Sequence, residues 1–266
     1  MQHLTNKAAL ITGGGAGIGR GIAQRFAKEG ARLVIAEINS AKGEEAVAEL
    51  CAAGAEAHFI HTDVREKTQV EAAVAHTINT LGGIDILVNN AFALSPNVTL
   101  EKKSDAMLES TLKSGGWAAW WAMRASLESM KARGGGKIIN FFSIDAEVGA
   151  WFHADYNMSK MAILGLTRSA AAEWGRFNIN VNAIAPAAMG EVFHKLAEEN
   201  PGFAEAAAQR KPLGRNGEPE ADVAPVVVFL ASSMSDFVTG ELIHVDGGLH
   251  LPGYNSKPAD LAGLDE

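Results

Sequence analysis

The chain is short of cysteine, of basic charge and of long apolar runs, and each shortage removes a class of protein. Cys51 is the single cysteine among 266 residues, so neither an intrachain disulfide nor a cysteine metal cluster can form. That usage fits a reduced, intracellular setting. Lys and Arg number 23 against 31 Asp and Glu, a formal net charge of −8, which argues against the basic face of a nucleic-acid binder. The longest apolar stretches, such as Val223–Ala231, run to about nine residues, far short of the ~20 that span a bilayer. Met1–Asn6 has no apolar signal core. The expectation is a cytoplasmic protein with no membrane and no nucleic-acid partner. No low-complexity tract or Pro/Ser-rich linker divides the chain, so 1–266 reads as one domain.

What is present is an alternation. Short β-branched runs occur at Ala8–Thr12, Leu33–Ala36, Ala57–His61, Ile84–Val88, Lys137–Phe142, Ile179–Ala183 and Leu242–Val245. Amphipathic stretches lie between them, around Ile18–Glu29, Ala41–Ala53, Lys67–Leu81, Ser104–Ala132, Tyr156–Arg176 and Pro219–Ala231. This spacing predicts an α/β fold, a Rossmann-like doubly wound parallel sheet of about seven strands with helices on both faces. Pro186–Leu213 breaks the rhythm with many alanines, interrupted by Pro201 and Pro212, and 187–213 reads as a helical substrate lid. The Pro- and Gly-containing stretch 249–266 reads as a tail or an arm that docks on another subunit.

Gly13-Gly14-Gly15-Ala16-Gly17-Ile18-Gly19 follows the first strand and opens the first helix. Without Cβ atoms the loop can turn tightly and bring backbone N–H groups close to a pyrophosphate. The helix N-terminus adds unpaired donors and a partial positive charge. Glu37 ends the second strand, eighteen residues past Gly19, where a carboxylate can accept from ribose hydroxyls. A second phosphate beside Glu37 would cost roughly 1 kcal/mol in water and ~4 at an intermediate dielectric. Ala16 and Ile38 offer no compensating cation, and Arg20 can point to solvent. NAD rather than NADP is therefore the expected cofactor.

Tyr156 and Lys160 are four apart, so on a helix they share a face. An ammonium beside a phenol favours the phenolate, and a shift of two to three units requires roughly 3–4 kcal/mol. Tyr156 can then exchange a proton with a substrate hydroxyl while hydride moves to or from a nicotinamide. Ser143 ends the fifth strand, where open α/β sheets place their ligands, and can hold the substrate oxygen. His153 lacks a Gly-x-Ser-x-Gly elbow that would mark a hydrolase. His58 and His61 have no ligand partners at metal spacing, and no metal is expected.

The ordered motifs resemble the short-chain dehydrogenase/reductase family across residues 5–248. The glycines are spaced Gly-x-x-x-Gly-x-Gly, and Tyr156–Lys160 gives Tyr-x-x-x-Lys thirteen residues after Ser143. Asn89-Asn90-Ala91, Asn182, Pro186, Pro212–Arg215 and Asp246-Gly247-Gly248 fall in family order. The resemblance implies catalysis by Ser143, Tyr156 and Lys160, with Lys160 also on the nicotinamide ribose. It implies adenine contact at Asp63 and Val64, and a cofactor wall that includes Asn90, Ala91, Pro186 and Met189. It further implies a homotetramer, with the fourth and fifth helices and the last strand at its interfaces.

Two departures stand out. An Asn that organises a water-linked proton relay in many relatives aligns with Gly115, and no Asn occurs in Glu101–Arg133. The Gly115-Gly116 pair weakens the helix by about 1 kcal/mol per Gly, so local opening is expected, with water or a backbone carbonyl replacing the amide. After Pro186 the Thr that contacts the carboxamide in relatives is also missing.

Loop residues Phe92, Leu94, Asp145, Trp151, His153, Met189 and Phe193 join Ser143 as expected substrate contacts. Their apolar bias predicts a neutral or weakly polar small-molecule alcohol or ketone, and an acidic acyl-carrier partner is less expected. Helical spacing cannot turn Trp117, Trp120 and Trp121 one way, so at least one should meet a partner or the pocket. The alternatives to an alcohol dehydrogenase are a dehydratase or epimerase on the same fold, or a redox-silent dinucleotide-binding regulator.

Overall fold

The computed structural model describes residues 2–256, so the 249–266 tail lies largely outside the described residues. Seven parallel strands form one sheet in the order β3-β2-β1-β4-β5-β6-β7. They are β1 (Ala8–Thr12), β2 (Arg32–Glu37), β3 (Ala57–His61), β4 (Ile86–Asn89), β5 (Gly136–Phe141), β6 (Ile179–Pro186) and β7 (Leu242–Val245). Side chains alternate across each strand. Leu10 and Val34 therefore enter one apolar cluster, and their neighbours Ile11 and Ile35 enter the other. This double burial explains why the strands read as continuous apolar runs rather than as alternating ones.

Helices α1 (Gly17–Lys28) and α2 (Ser40–Ala52) follow the first two strands, and α3 (Lys67–Leu81) follows β3. From α1, Ile22 and Phe26 pack in the first cluster, joined by Val227, Val228 and Leu230 of the late helix Ala224–Ala231. The second cluster takes Val74 from α3. Truncating the fully buried Phe26 to Ala would cost about 3–5 kcal/mol.

β4 begins two residues later than the sequence pattern predicts. Asp85 stands at its entrance: its backbone pairs with Ala8 O and Lys137 N (2.9 Å each), and its carboxylate accepts from Ala8 N (2.8 Å) and from Arg133 Nε and Nη2 (2.8 Å each). This residue thus ties the start of β4 to both neighbouring strands and to Arg133.

The long helix expected at Ser104–Ala132 is not continuous. It comprises α4 (Asp105–Leu112), a π-helical turn at Lys113–Trp117, and α5 (Ala118–Ala132). Ser104 caps α4 by accepting from Met107 N at 3.2 Å. The opening expected at the glycine pair is a full π turn. Met123 and Met130 of α5 sit in the second cluster, with Ile163 of α7 (Ala154–Trp174). Between β5 and α7 lies the short α6 (Ile144–Val148), and the stretch after β6 forms α8 (Glu191–Glu199) and α9 (Phe203–Gln209). No helix among the described residues is long and apolar enough to cross a membrane.

Candidate active site

The carboxyl ends of β1, β2, β4, β5 and β6 open into one cleft of about 550 Å³. The reversal of strand order between β1 and β4 creates it, the position at which open α/β sheets take ligands.

At one end the glycine loop turns from β1 into α1. Gly13 (φ +66°) and Gly17 (φ +53°) lie in the left-handed region, which glycine tolerates without a Cβ clash. A Cβ on Gly19 would overlap the Gly13 carbonyl, so the helix can approach the loop only with glycine there. Asn90 braces the turn by donating to Thr12 O (2.9 Å) and Gly13 O (3.1 Å). Asn90 N and Ala91 N in turn donate to Thr12 Oγ1. The first turn of α1 carries no acidic residue and no side-chain cap. Free helix donors over a bare backbone cradle fit a pyrophosphate.

Glu37 closes the end of β2. Its carboxylate accepts from Asn39 N (3.1 Å) and Gly15 N (3.3 Å), which fixes it at the cleft wall. The cations nearby are committed elsewhere. Arg20 pairs with Glu45 and Glu49, Arg65 with Asp63 (2.7 Å), and Lys42 with Glu191 of α8. Asp63 thus spends its carboxylate largely on Arg65, which holds its pKa below the usual carboxylate range. Val64 lines the cleft beside it.

At the other end stand Ser143, Tyr156 and Lys160. Ser143 caps α6, its Oγ accepting from Asp145 N at 3.3 Å, and it lines the cleft with Tyr156 and Lys160. Burial pushes the phenol up to about 12, with Asp145 adding to the rise and Ser143 opposing it. Lys160 is buried and donates to Phe141 O at 2.9 Å. Burial pushes its ammonium down to about 7. The lowered phenol pKa expected from the sequence is therefore absent from the chain's own electrostatics. Desolvation of both groups outweighs their mutual influence.

The cleft wall also takes Ile18, Ala91, Phe92, Leu94, Pro186 and Phe193. Asp145 and His153 stand beside Tyr156 rather than in the wall. They pair with each other at 2.9 Å, and the His153 ring lies 5.4 Å from the tyrosine ring. Two further expected contacts are not among the residues that line the cleft. Met189 N donates to Gly217 O (2.8 Å), and Ala188 and Gly190 on either side form the wall. Trp151 is 82% exposed and lines a separate surface hollow with Leu100 and Phe152.

Three residues escaped the sequence reading. Phe141 supplies the carbonyl for Lys160, Thr62 lines the cleft beside Asp63, and Ser159 fills the space beside Gly115. Ser159 Oγ donates to Thr111 O (2.8 Å) and accepts from Gly116 N (3.4 Å), which serves backbone groups freed by the π turn. Only the small residue next to Lys160 hinted at this.

A dinucleotide cradle at one end and a Ser-Tyr-Lys cluster at the other, on a seven-stranded parallel sheet, define a nicotinamide-dependent oxidoreductase. The chain belongs to the short-chain dehydrogenase/reductase family. A family model described as enoyl-(acyl carrier protein) reductase matches residues 13–250. Galactitol 2-dehydrogenase of Agrobacterium fabrum is 40% identical over 260 residues, covering 93% of this chain and 98% of the relative. The 2,5-dichloro-2,5-cyclohexadiene-1,4-diol dehydrogenase of Sphingobium indicum is 34% identical over 250 residues, with coverage of 93% and 98%. Levodione reductase has a similar structure, with a TM-score of 0.88 at 32% identity, covering 94% of this chain and 99% of that one. The chain is thus an oxidoreductase of alcohol and carbonyl groups that uses a nicotinamide dinucleotide.

Proposed function

We propose that this enzyme interconverts a secondary alcohol and a ketone, prefers NAD, and uses Tyr156 as its acid and base. The observation that carries the reading is the convergence of Ser143, Tyr156 and buried Lys160 on the same cleft as Glu37. Backbone donors at Gly13–Gly19 hold the pyrophosphate, and Glu37 accepts from the adenosine ribose. Asp63 and Val64 border the adenine, while Asn90, Ala91 and Pro186 wall the inner end. A bound nicotinamide would supply the hydride acceptor or donor.

Tyr156 stays protonated at neutral pH in its buried setting, which suits it to deliver a proton to a ketone oxygen. In the reverse direction it must take the alcohol proton, and positive charge beside the ring has to overcome its desolvation. Ser143 donates to the substrate oxygen. Lys160 supplies charge to Tyr156 and donors to the nicotinamide ribose.

Preference for NAD follows from committed cations. Arg20, Arg65 and Lys42 each already face a carboxylate, so an extra ribose phosphate would meet Glu37 without a partner. For the substrate, Leu94, Phe142, Val192 and Phe193 give an apolar wall. A small neutral alcohol fits this wall, and the names of the galactitol and cyclohexadienediol relatives agree with hydroxyl-rich or cyclic substrates. A net charge of −8 disfavours an acidic carrier protein.

The 187–213 stretch acts as the lid of a single domain, with α8 and α9 as its rigid parts. Trp117 and Trp120, 51% and 42% exposed, belong to a homotetramer interface in the cytoplasm. A monomer in light scattering would reject that assembly. The reading as a whole is tested by initial rates with secondary alcohols and ketones against both cofactors. NAD binding without turnover of any of them would favour a redox-silent binder.

A further inference from the structure

Lys160 sits in an unusual setting for a charged group. Its side chain is buried, and Phe141 O accepts the one hydrogen bond it donates among the described residues. An ammonium carries three donors. Among the described residues no carboxylate faces it: the titratable groups nearby are Tyr156 on its own helix and, beyond that ring, Asp145 and His153 from the α6 side. What does face it is a ring. Lys160 Nζ lies 4.5 Å from the centroid of Phe92 and 5.5 Å from that of Tyr156. Phe92 also meets Tyr156 edge-to-face, with centroids 5.0 Å apart and planes at 78°.

The ring has room there because Gly115 lacks a side chain. A Cβ on Gly115 would stand 2.8 Å from Phe92 Cε2 and would overlap Ser159 Oγ. The π turn brings Gly115 to this point, and Ser159 ties the turn to α7. Glycine at 115 and the aromatic ring at 92 therefore form one arrangement.

We propose that Phe92 is a positioning residue of the catalytic centre, its ring face seating the Lys160 ammonium beside Tyr156 in the space left open by Gly115. The negative face of a ring attracts a cation, and the attraction grows where water is excluded. Burial penalises the charged form of Lys160; the ring opposes that penalty. It also carries no exchangeable proton, so Phe92 holds charge and cannot relay protons. The inference rests on the roles proposed above for Tyr156 and Lys160, and it replaces the sequence expectation that Phe92 is chiefly a substrate contact.

The test drains the ring face without changing its shape. Phe92 is replaced by 4-fluoro-, 3,5-difluoro- and 3,4,5-trifluorophenylalanine, with folding checked by circular dichroism. Lys160 is followed in the cofactor-free protein by NMR of labelled lysine, with Lys160→Met to assign the signal. The midpoint of its titration should fall stepwise, by about one pH unit across the series, as the charged form loses its partner. In parallel, kcat should fall several-fold, with little change in the substrate KM. Phe92→Leu should resemble the trifluoro protein, and Phe92→Tyr should restore both readouts. A flat Lys160 titration across the series, or a change confined to KM, would overturn the proposal. Because NMR reads Lys160 without turnover, its outcome stands apart from failure of the alcohol dehydrogenase reading, which rate assays on the unmodified protein would expose.

Discussion

The two ends of the cleft are built by different means. The dinucleotide end is made of backbone: the turn at Gly13–Gly19, the start of α1, and Asn90 gripping two carbonyls. The substrate end is made of side chains from distant segments, with Ser143 from the β5 end, Tyr156 from α7, and Phe193 from α8. A backbone site follows from a short run of residue types, because few other sequences permit that turn. A side-chain site depends on how loops pack, so neighbours in sequence can face opposite ways.

The largest effect that would sharpen this contrast is on chemistry alone. Tyr156→Phe should lower turnover by roughly 100- to 10,000-fold, while NAD affinity measured by calorimetry stays within about twofold. Comparable losses in both would mean that the two ends are not separable.

The backbone end can be challenged through its one decisive side chain. Glu37→Ser with Ile38→Arg should shift the ratio of kcat/KM for NAD over NADP by about ten- to a thousandfold toward NADP. Equal or better use of NADP by the unmodified enzyme would refute the role given to Glu37.

A stability measurement probes the substrate end by another route. Burial lowers Lys160 to about 7 from the ordinary 10.5, so between those pH values the unfolded chain binds the extra proton. Stability then rises with pH across that window, and below it the folded state bears the full cost of a buried charge. Lys160→Met should raise the melting temperature by at least about 3 °C at pH 6. The gain should shrink as pH climbs from 7 toward 10.5. A gap that widens with pH would contradict the assigned shift. The same variant should lose activity, so this residue trades stability for function.

The smallest effect concerns a residue that sequence proximity nominates and geometry removes. Trp151→Ala should leave kcat/KM within about twofold, as the ring lies in its own surface hollow. A tenfold rise in KM would restore it to the substrate wall.

The pattern of success in the sequence follows the same division. Strand and helix order was legible because the central strands are apolar on both faces, and all seven expected strands occur. The glycine loop and the Tyr-x-x-x-Lys pair were legible because their geometry is local. Met189 falls outside the cleft lining, between two residues that form it, and its amide pairs with Gly217, a partner 28 residues on that no local pattern indicates. The direction of the Tyr156 shift was also missed. Composition and spacing reveal a nearby lysine, but desolvation depends on packing from α6 and the loop after β4. Gly115 was read as a missing Asn in a locally opened helix, and its meaning needed Phe92 and Ser159 in place around it.

The π turn at Lys113–Trp117 also takes up slack. An α-helix advances about 100° per residue, and a π turn accommodates one residue beyond that repeat. The turn therefore absorbs its extra residue, and α5 keeps the phase it would have after an unbroken helix one residue shorter. Ala122, Met123, Ser126 and Met130 of α5 accordingly stay buried. What the extra residue changes is local: the wider turn sets Gly115 against Phe92 and Ser159 and leaves backbone groups for Ser159 to serve. Deleting Gly116 should return an α-helix with α5 still in phase and remove only this local arrangement. The glycine pair works as an expansion joint: α4 stays aligned with α7 while α5 stays meshed with the core.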